Sequence, residues 1–368
     1  MKAVHLITVV DGVSTTSIPI NEFVIYRDKI RPNYRQTVIT RTPDDKAMVN
    51  IPDHITVYSM PYNLWELRRL ICDILSDSKK RKEDVIFHLH HQKSALLFYI
   101  ATLFMGLNKR TVFTIHSFYS NRDVKYKVSS CLCVLLSNYA NCVSKAAFVD
   151  YPKWVKKVKG SRLRVVLNGV DFQRIDNALL AEDRHDGICD LRTMVCVDRI
   201  IPIKNQKFIV GLMKYLPEMN LVFVGKEDKD KLIRRLASEE GVLDRITFTG
   251  LLPRDDVYRI INKCGLYVSA SLVEGLHLSV LEAIRVGAIP LISDIPAHRE
   301  IAAKCNHLFN PIPLDVELWV KVIKNFMAKD KAALQSLSEQ LSRTVECHFS
   351  LDKMHDEYDS IYKLMLLA

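Results

Sequence analysis

Glu274-Gly-Leu-His-Leu-Ser-Val-Leu-Glu282-Ala-Ile-Arg-Val-Gly287-Ala-Ile-Pro290, directly after the strand-like Gly265-Leu-Tyr-Val-Ser269, decides how this chain of 368 residues is read. Two carboxylates, Glu274 and Glu282, stand on either side of a turn that opens a helix over 278–286. A helix rises ~1.5 Å per residue, so groups eight apart lie within ~12 Å along its axis, about the span of a diphosphate with a sugar at each end. Backbone N–H groups at Gly275, Leu276, His277, Leu278 and Ser279 are unpaired at such a helix start and face any anion lying across the turn. Gly275 lets the backbone approach closely and the Ser279 hydroxyl adds a donor. The same residues also fit a buried amphipathic helix whose leading acid the macrodipole favours.

Outward from this stretch, short β-rich runs alternate with helical ones. Strands are expected at 4–10, 37–40, 55–58, 85–89, 111–115, 141–143 and 165–167, with helices near 62–76, 94–106, 124–138 and 145–157. The second half repeats the rhythm, with strands at 193–197, 221–224, 246–248, 266–269 and 289–292 and helices near 205–216, 228–240, 254–263 and 278–286. The class is α/β, with two doubly wound parallel sheets, and the length suits two domains. Residues 171–190 are polar and weakly periodic, as a linker would be.

The ordered fragments Val166-Leu-Asn168-Gly169-Val170-Asp171, Arg199-Ile-Ile-Pro202-Ile-Lys204-Asn205, Val222-Phe-Val-Gly225, Phe248-Thr-Gly250, Glu274 to Ala283 and Gly287 to Pro290 resemble the donor-site signature of retaining family-4 glycosyltransferases. The resemblance is firm over 166–300 and looser over 1–165. It implies the GT-B fold, two Rossmann-like domains facing across a cleft. Residues 1–170 would bind the acceptor and 171–350 a nucleotide-sugar donor, with a helix over about 351–368 packing back on the first domain. It further implies that Arg199 and Lys204 sit on the diphosphate, that Glu282 takes the ribose diol, and that Glu274 lies near the reacting sugar carbon. His116, in Thr114-Ile-His116-Ser117, would stand near the transferred sugar, while Gly12, Lys226 and Leu251 join Gly275 to Ser279 in donor binding. His277 departs from the Phe or Pro commoner in relatives, and Asp11-Gly12 replaces their paired glycines. A uridine diphosphate donor is preferred. The resemblance implies no cofactor and no metal, and the Asp228-Lys-Asp230 run suits a solvated helix rather than a metal-binding motif.

His88-Leu-His90-His91 ends a strand, with His88 and His90 on one face. A zinc site is conceivable there, and satisfied structural histidines are the favoured reading. Nine scattered cysteines, Cys131-x-Cys133 included, lack redox or metal spacing and read as reduced thiols in a cytosolic protein.

The net charge of +10 is uneven: residues 1–170 hold 26 Lys and Arg against 13 Asp and Glu, and residues 171–368 hold 26 against 29. Tyr151-Pro-Lys-Trp154-Val-Lys-Lys-Val-Lys159 interleaves apolar groups with lysines, and 122–136 passes from basic to apolar along one helix. Peripheral attachment to an anionic membrane at the cytoplasmic face follows as an expectation. The apolar run 95–106 falls short of the ~20 residues that span a bilayer. The start of the chain reads as a strand rather than a signal peptide. The expected acceptor is a saccharide or lipid-linked oligosaccharide of a surface-polysaccharide pathway. An epimerase or phosphorylase on the same fold is the nearest alternative. A nucleic-acid-binding module is another, but no ribonucleoprotein, zinc-finger or helix-turn-helix pattern supports it.

Overall fold

The computed structural model describes residues 4–10, 18–41, 51–180, 190–227 and 230–367. It divides into two compact units, Met1–Gly169 with Leu351–Ala368, and Val170–Ser350.

The first unit runs β1 (Val4–Val10), α1 (Ile18–Ile30), β2 (Tyr34–Thr40), β3 (Thr56–Ser59), α2 (Leu64–Lys80), β4 (Asp84–Leu89), α3 (Gln92–Ala101), β5 (Thr111–Ile115), α4 (Val124–Leu136), β6 (Tyr139–Cys142), α5 (Lys145–Asp150), α6 (Lys153–Lys159) and β7 (Leu163–Val165). The strands pair in parallel in the order β3-β2-β1-β4-β5-β6-β7. β4 and β5 read as near-continuous apolar runs because helices cover both faces of a parallel sheet. In α2, Leu67, Ile71, Ile74 and Ser78 form the buried stripe, and Asn63 caps the helix by accepting from the Trp65 N–H. The C-terminal helix Leu351–Leu367 belongs to this unit. Its Tyr358 and Tyr362 pack with Phe23 and Ile86, while Asp359 pairs with the buried Arg27 and with Arg31 at 2.8 Å.

The second unit runs α7 (Phe172–Leu180), β8 (Asp190–Val197), α8 (Gln206–Leu212), β9 (Asn220–Val224), α9 (Leu232–Glu239), β10 (Ile246–Gly250), α10 (Arg254–Asn262), β11 (Cys264–Ser269), α11 (Leu278–Val286), β12 (Ile289–Ile292), α12 (Pro296–Lys304), α13 (Val316–Met327) and α14 (Lys331–Phe349); the chain closes on α15, the helix Leu351–Leu367. Its parallel sheet has the order β10-β9-β8-β11-β12. The winding reverses between β8 and β11, and ligands of such sheets gather beyond the strand carboxyl ends at that point.

Three expectations need correction. The single helix over 145–157 is two, because Pro152 forces Tyr151 into extended backbone (φ −70°, ψ 145°) and α6 restarts behind it. The supposed linker begins with α7, whose Phe172, Ile175, Ala178 and Leu179 are buried while Arg174 and Asp176 carry ion pairs to Asp255 and Arg285; residues 181–189 lie outside the described residues. The helix expected over 94–106 stops at Ala101, and the chain turns through Phe104 and Gly106 at positive φ. Among the described residues no helix is long and apolar enough to cross a membrane.

Candidate functional site

β11 is buried along its whole length and ends at Ser269; the chain then turns and enters α11 with His277 as its cap residue (φ −85°, ψ 86°). Across from this turn, β8 ends at Val197, and Asp198 and Arg199 follow at its carboxyl end. Gly225, just beyond β9, lies against the Asp198 backbone, and the Ile200 N–H bonds the Lys226 carbonyl at 3.0 Å. Asn205, held at φ 52°, donates from Nδ2 to the Ala270 carbonyl at 3.2 Å, and the Leu272 N–H reaches the Ile203 carbonyl at 2.9 Å. These bonds tie the loop after β8 to the loop after β11.

Between the tied loops lies a charged tetrad. Lys204 Nζ is 2.6 Å from Glu274 Oε1 and is also paired with Asp198. His277 Nε2 lies 3.1 Å from Asp198 Oδ2, and His277 Nδ1 lies 2.9 Å from His298 Nε2 and 3.7 Å from Glu274 Oε1. The Lys204 and Glu274 side chains are each only 12% exposed. Burial would raise the Asp198 carboxyl, but the charges of Lys204 and His277 outweigh it and hold it down at about 2. Burial likewise works against the Lys204 ammonium, and Asp198 and Glu274 overcome it and push its pKa up. Asp198, Glu274 and His277 bring ligand atoms within 4.8 Å of one another, a spacing that suits a metal ion, and this is the one such group among the described residues. The Lys204 ammonium already lies between its two carboxylates.

Glu282, on the buried side of α11, pairs with Arg254 through Oε1 and lies 3.5 Å from the Tyr258 hydroxyl. Arg254 Nε donates to the Tyr258 hydroxyl at 2.5 Å. Ser279 Oγ is 2.8 Å from the Tyr267 hydroxyl. Leu276 is buried, Gly275 and Leu278 are partly buried, and Arg199, Lys226 and Leu251 stand exposed beyond β8, β9 and β10. Gly12 lies outside the described residues.

The structure thus brings Lys204, Glu274 and His277 together and sets Glu282 apart with its own arginine. Asp198, Arg254 and His298 were missed by sequence reasoning. Asp198 could have been found as an acid directly after a buried strand. Arg254 had a signal too, since a cation in the first turn of a helix opposes the macrodipole and implies a compensating partner.

In the first unit, His90 and His116 follow β4 and β5, with His90 Nδ1 3.2 Å from His116 Nε2. Burial lowers both, His116 to about 3, helped by the charges of neighbouring histidines. His88 stacks on His90 with ring centroids 4.0 Å apart. The His88 nitrogens are both engaged, Nδ1 with the Tyr362 hydroxyl and Nε2 with Thr114 Oγ1, each at 2.7 Å. His88 therefore serves packing, and the zinc alternative loses that ligand.

Residues 189–343 match the family of glycosyl transferases group 1, and residues 30–174 match glycosyltransferase family 4. One subunit of the human phosphatidylinositol N-acetylglucosaminyltransferase is 27% identical over 237 residues, which are 57% of this chain and span 45% of that protein. The UDP-Gal:alpha-D-GlcNAc-diphosphoundecaprenol alpha-1,3-galactosyltransferase of Escherichia coli is 24% identical over 300 residues, 77% of this chain and 76% of its own. Anabaena HepE, solved with UDP and glucose, matches in fold with a TM-score of 0.76 at 13% identity, covering 98% of this chain and 99% of its own.

Proposed function

The chain belongs to the glycosyltransferases of the group 1 and family 4 type, with the GT-B fold, and from that premise we propose that it transfers a sugar from a uridine diphosphate donor, with retention of anomeric configuration, to a lipid-linked or oligosaccharide acceptor in surface-polysaccharide synthesis. The observation that carries this reading is the tetrad of Asp198, Lys204, Glu274 and His277 at the amino end of α11. It gathers cations and unpaired backbone N–H groups where negative charge grows on a departing phosphate. In the reaction the anomeric C–O bond to the diphosphate breaks, the acceptor oxygen bonds to the same face of that carbon, and the acceptor proton passes to the released phosphate oxygen. Lys204 and the helix start stabilise that phosphate, and the exposed Arg199 adds a forked cation. The reading needs no metal, since Lys204 fills the cation position between the two carboxylates. UDP in the HepE structure and the UDP-galactose in the name of the E. coli relative support uridine as the base. That relative's diphosphoundecaprenol-linked acceptor supports a lipid-linked one.

In this reading Arg254 holds one oxygen of Glu282, and the other takes the ribose diol. Glu282→Ala should raise the donor KM by ~10-fold or more with a smaller change in kcat, and Glu274→Ala should depress kcat by ~100-fold. Initial rates with UDP-sugars check both; wild-type kinetics in both variants would contradict the assignment.

The reading also places the protein peripherally on the inner, anionic leaflet. Residues 91–170 hold thirteen Lys and Arg against two Asp. On α4 the buried residues face α3 and the sheet, while Val124, Val128, Leu132 and Leu136 form an outward ridge at every fourth position, 41–74% exposed. On α6, Trp154 and Val158 are exposed beside Lys153 and Lys157, and Lys159 Nζ bonds the Leu135 and Ser137 carbonyls at the end of α4. An apolar ridge bordered by lysines suits an anionic interface, where each cation adds ~1 kcal/mol. Liposomes containing anionic lipid should float the protein at low salt, and Val128→Glu with Leu132→Glu should cut the bound fraction ~10-fold. Failure of the wild type to float would remove this part of the reading.

A further inference from the structure

His298 determines the hydrogen bookkeeping beneath the α11 turn. Its Nδ1 lies 2.7 Å from the Ser293 carbonyl oxygen, which can only accept, so Nδ1 carries a proton. The Ser293 hydroxyl, 3.4 Å from the same nitrogen, donates its hydrogen to the Ser271 carbonyl at 2.5 Å and so cannot supply one instead. Burial pushes His298 down to about 3 and keeps it neutral. A neutral imidazole protonated on Nδ1 offers a bare lone pair at Nε2.

His277 must therefore donate from Nδ1, 2.9 Å from that lone pair. Its other nitrogen, Nε2, faces Asp198 Oδ2 at 3.1 Å. That carboxylate is ionised and has no hydrogen to give, so Nε2 donates as well. An imidazole ring that donates from both nitrogens carries a positive charge. The groups facing it are Asp198 and Lys204 from the loop after β8, Tyr267 from β11, Glu274 from the turn and His298 from α12. With His277 charged, two cations balance two carboxylates, Lys204 and His277 against Asp198 and Glu274. With Phe or Pro at 277, the set would be left one cation short.

We infer that His277 is a doubly protonated imidazolium, a second buried cation beside Lys204, acting as a positioning residue that clamps the carboxyl ends of β8, β11 and β12 so that the α11 amino end is set for the diphosphate. The hydrogen-bond geometry gives the His277–His298 pair one extra proton, and the burial of His298 together with the two carboxylates facing His277 puts it on His277; the role in donor binding rests on the function proposed above. One linkage joins three strand ends: Asp198 after β8, His277 at the start of α11, and His298 held by Ser293 after β12. A neutral His277 would turn one of its two donated bonds into a repulsion between facing lone pairs, so the clamp requires both ring protons.

Side-chain ¹⁵N NMR of the labelled full-length protein tests the inference, with His277→Asn assigning the signals. The expected spectrum at neutral pH shows both His277 nitrogens protonated and both His298 signals in the pattern of a neutral Nδ1–H tautomer. Asp198→Asn, whose amide can donate, should return His277 to a neutral ring. A neutral His277 in the folded wild type overturns the inference. Calorimetric titration with UDP supplies the second readout: His277→Asn should bind UDP ~10-fold more weakly than the wild type. A charged His277 together with unchanged UDP affinity in His277→Asn overturns the clamp while leaving the protonation state standing. A charged His277 in a wild type that binds no UDP overturns the proposed function instead.

Discussion

Lys204→Ala is expected to lower kcat/KM by ~100- to 1,000-fold, the range for removing a preorganised charge from a developing anion. The ammonium contacts both Asp198 and Glu274, and its removal leaves those carboxylates facing each other with His277 alone to balance them. Taking one partner from a buried ion pair costs ~3–5 kcal/mol, because the stranded charge keeps its desolvation penalty. Two separate losses should follow, one in urea-unfolding stability and one in UDP affinity. A double variant distinguishes them. Lys204→Met with Asp198→Asn removes one of the two stranded carboxylates, so it should regain part of the stability and none of the activity. A double variant that regained activity would show that Lys204 serves only the fold. Lys204→Arg should rescue poorly, since a planar fork cannot take the place of a point charge between two carboxylates.

The pH dependence has a definite sign. Asp198 titrates at about 2 in the folded protein, below its unfolded value of ~3.9. Its contribution is fully present above ~3.9 and is lost as pH falls toward 2. In Lys204→Ala the largest force holding the carboxyl down is gone, so this acid limb should begin at higher pH.

Most of the framework could be read from the chain because its cores are periodic. β5, α11 and β12 lie where the apolar pattern put them, to the residue, and α15 lies where the resemblance implied a closing helix. What escaped was built on other terms. α1 is rich in β-branched and mixed residues and has no clean helical stripe. α7 was hidden among polar residues, of which the half-buried Arg174 and Asp176 make ion pairs to other elements. α12, α13 and α14 were not marked, although α13 and α14 carry Asp caps at Asp315 and Asp330. At the site, the spacing of Glu274 and Glu282 marked the right helix, and Lys204 came with its motif. Their partners did not follow: the contacts of Asp198 with His277 and of Glu282 with Arg254 span 79 and 28 residues, and no local pattern encodes them. His277 stood out in the sequence only as an oddity; its meaning comes from His298 and Asp198 on two other elements.

Gly225→Ala should damage the fold and the site together. Gly225 sits at φ 147°, and a Cβ placed there would lie 2.0 Å from the Asp198 carbonyl oxygen and 2.8 Å from the Asp198 carbonyl carbon. Both are backbone atoms, so no rotamer change can relieve the clash. Neither strand end can slide, because the Asp198 N–H bonds the Val224 carbonyl at 3.0 Å, the Gly225 N–H bonds the Gly250 carbonyl at 2.9 Å, and the Ile200 N–H bonds the Lys226 carbonyl at 3.0 Å. Relief requires opening the β8 and β9 ends and moving Asp198 away from Lys204 and His277. The expected cost is about 3 kcal/mol or more in urea unfolding, with UDP affinity lost even in the fraction that folds. Gly250→Ala is the control for backbone strain alone: Gly250 is also left-handed, at φ 72°, but a Cβ there meets nothing within 4 Å. It should cost only ~1–2 kcal/mol and keep UDP binding. If the two alanine variants unfold at the same urea midpoint and bind UDP alike, then the approach of Gly225 to Asp198 is not what holds the loop carrying Asp198 and Arg199, and the tetrad must be positioned from the α11 side alone.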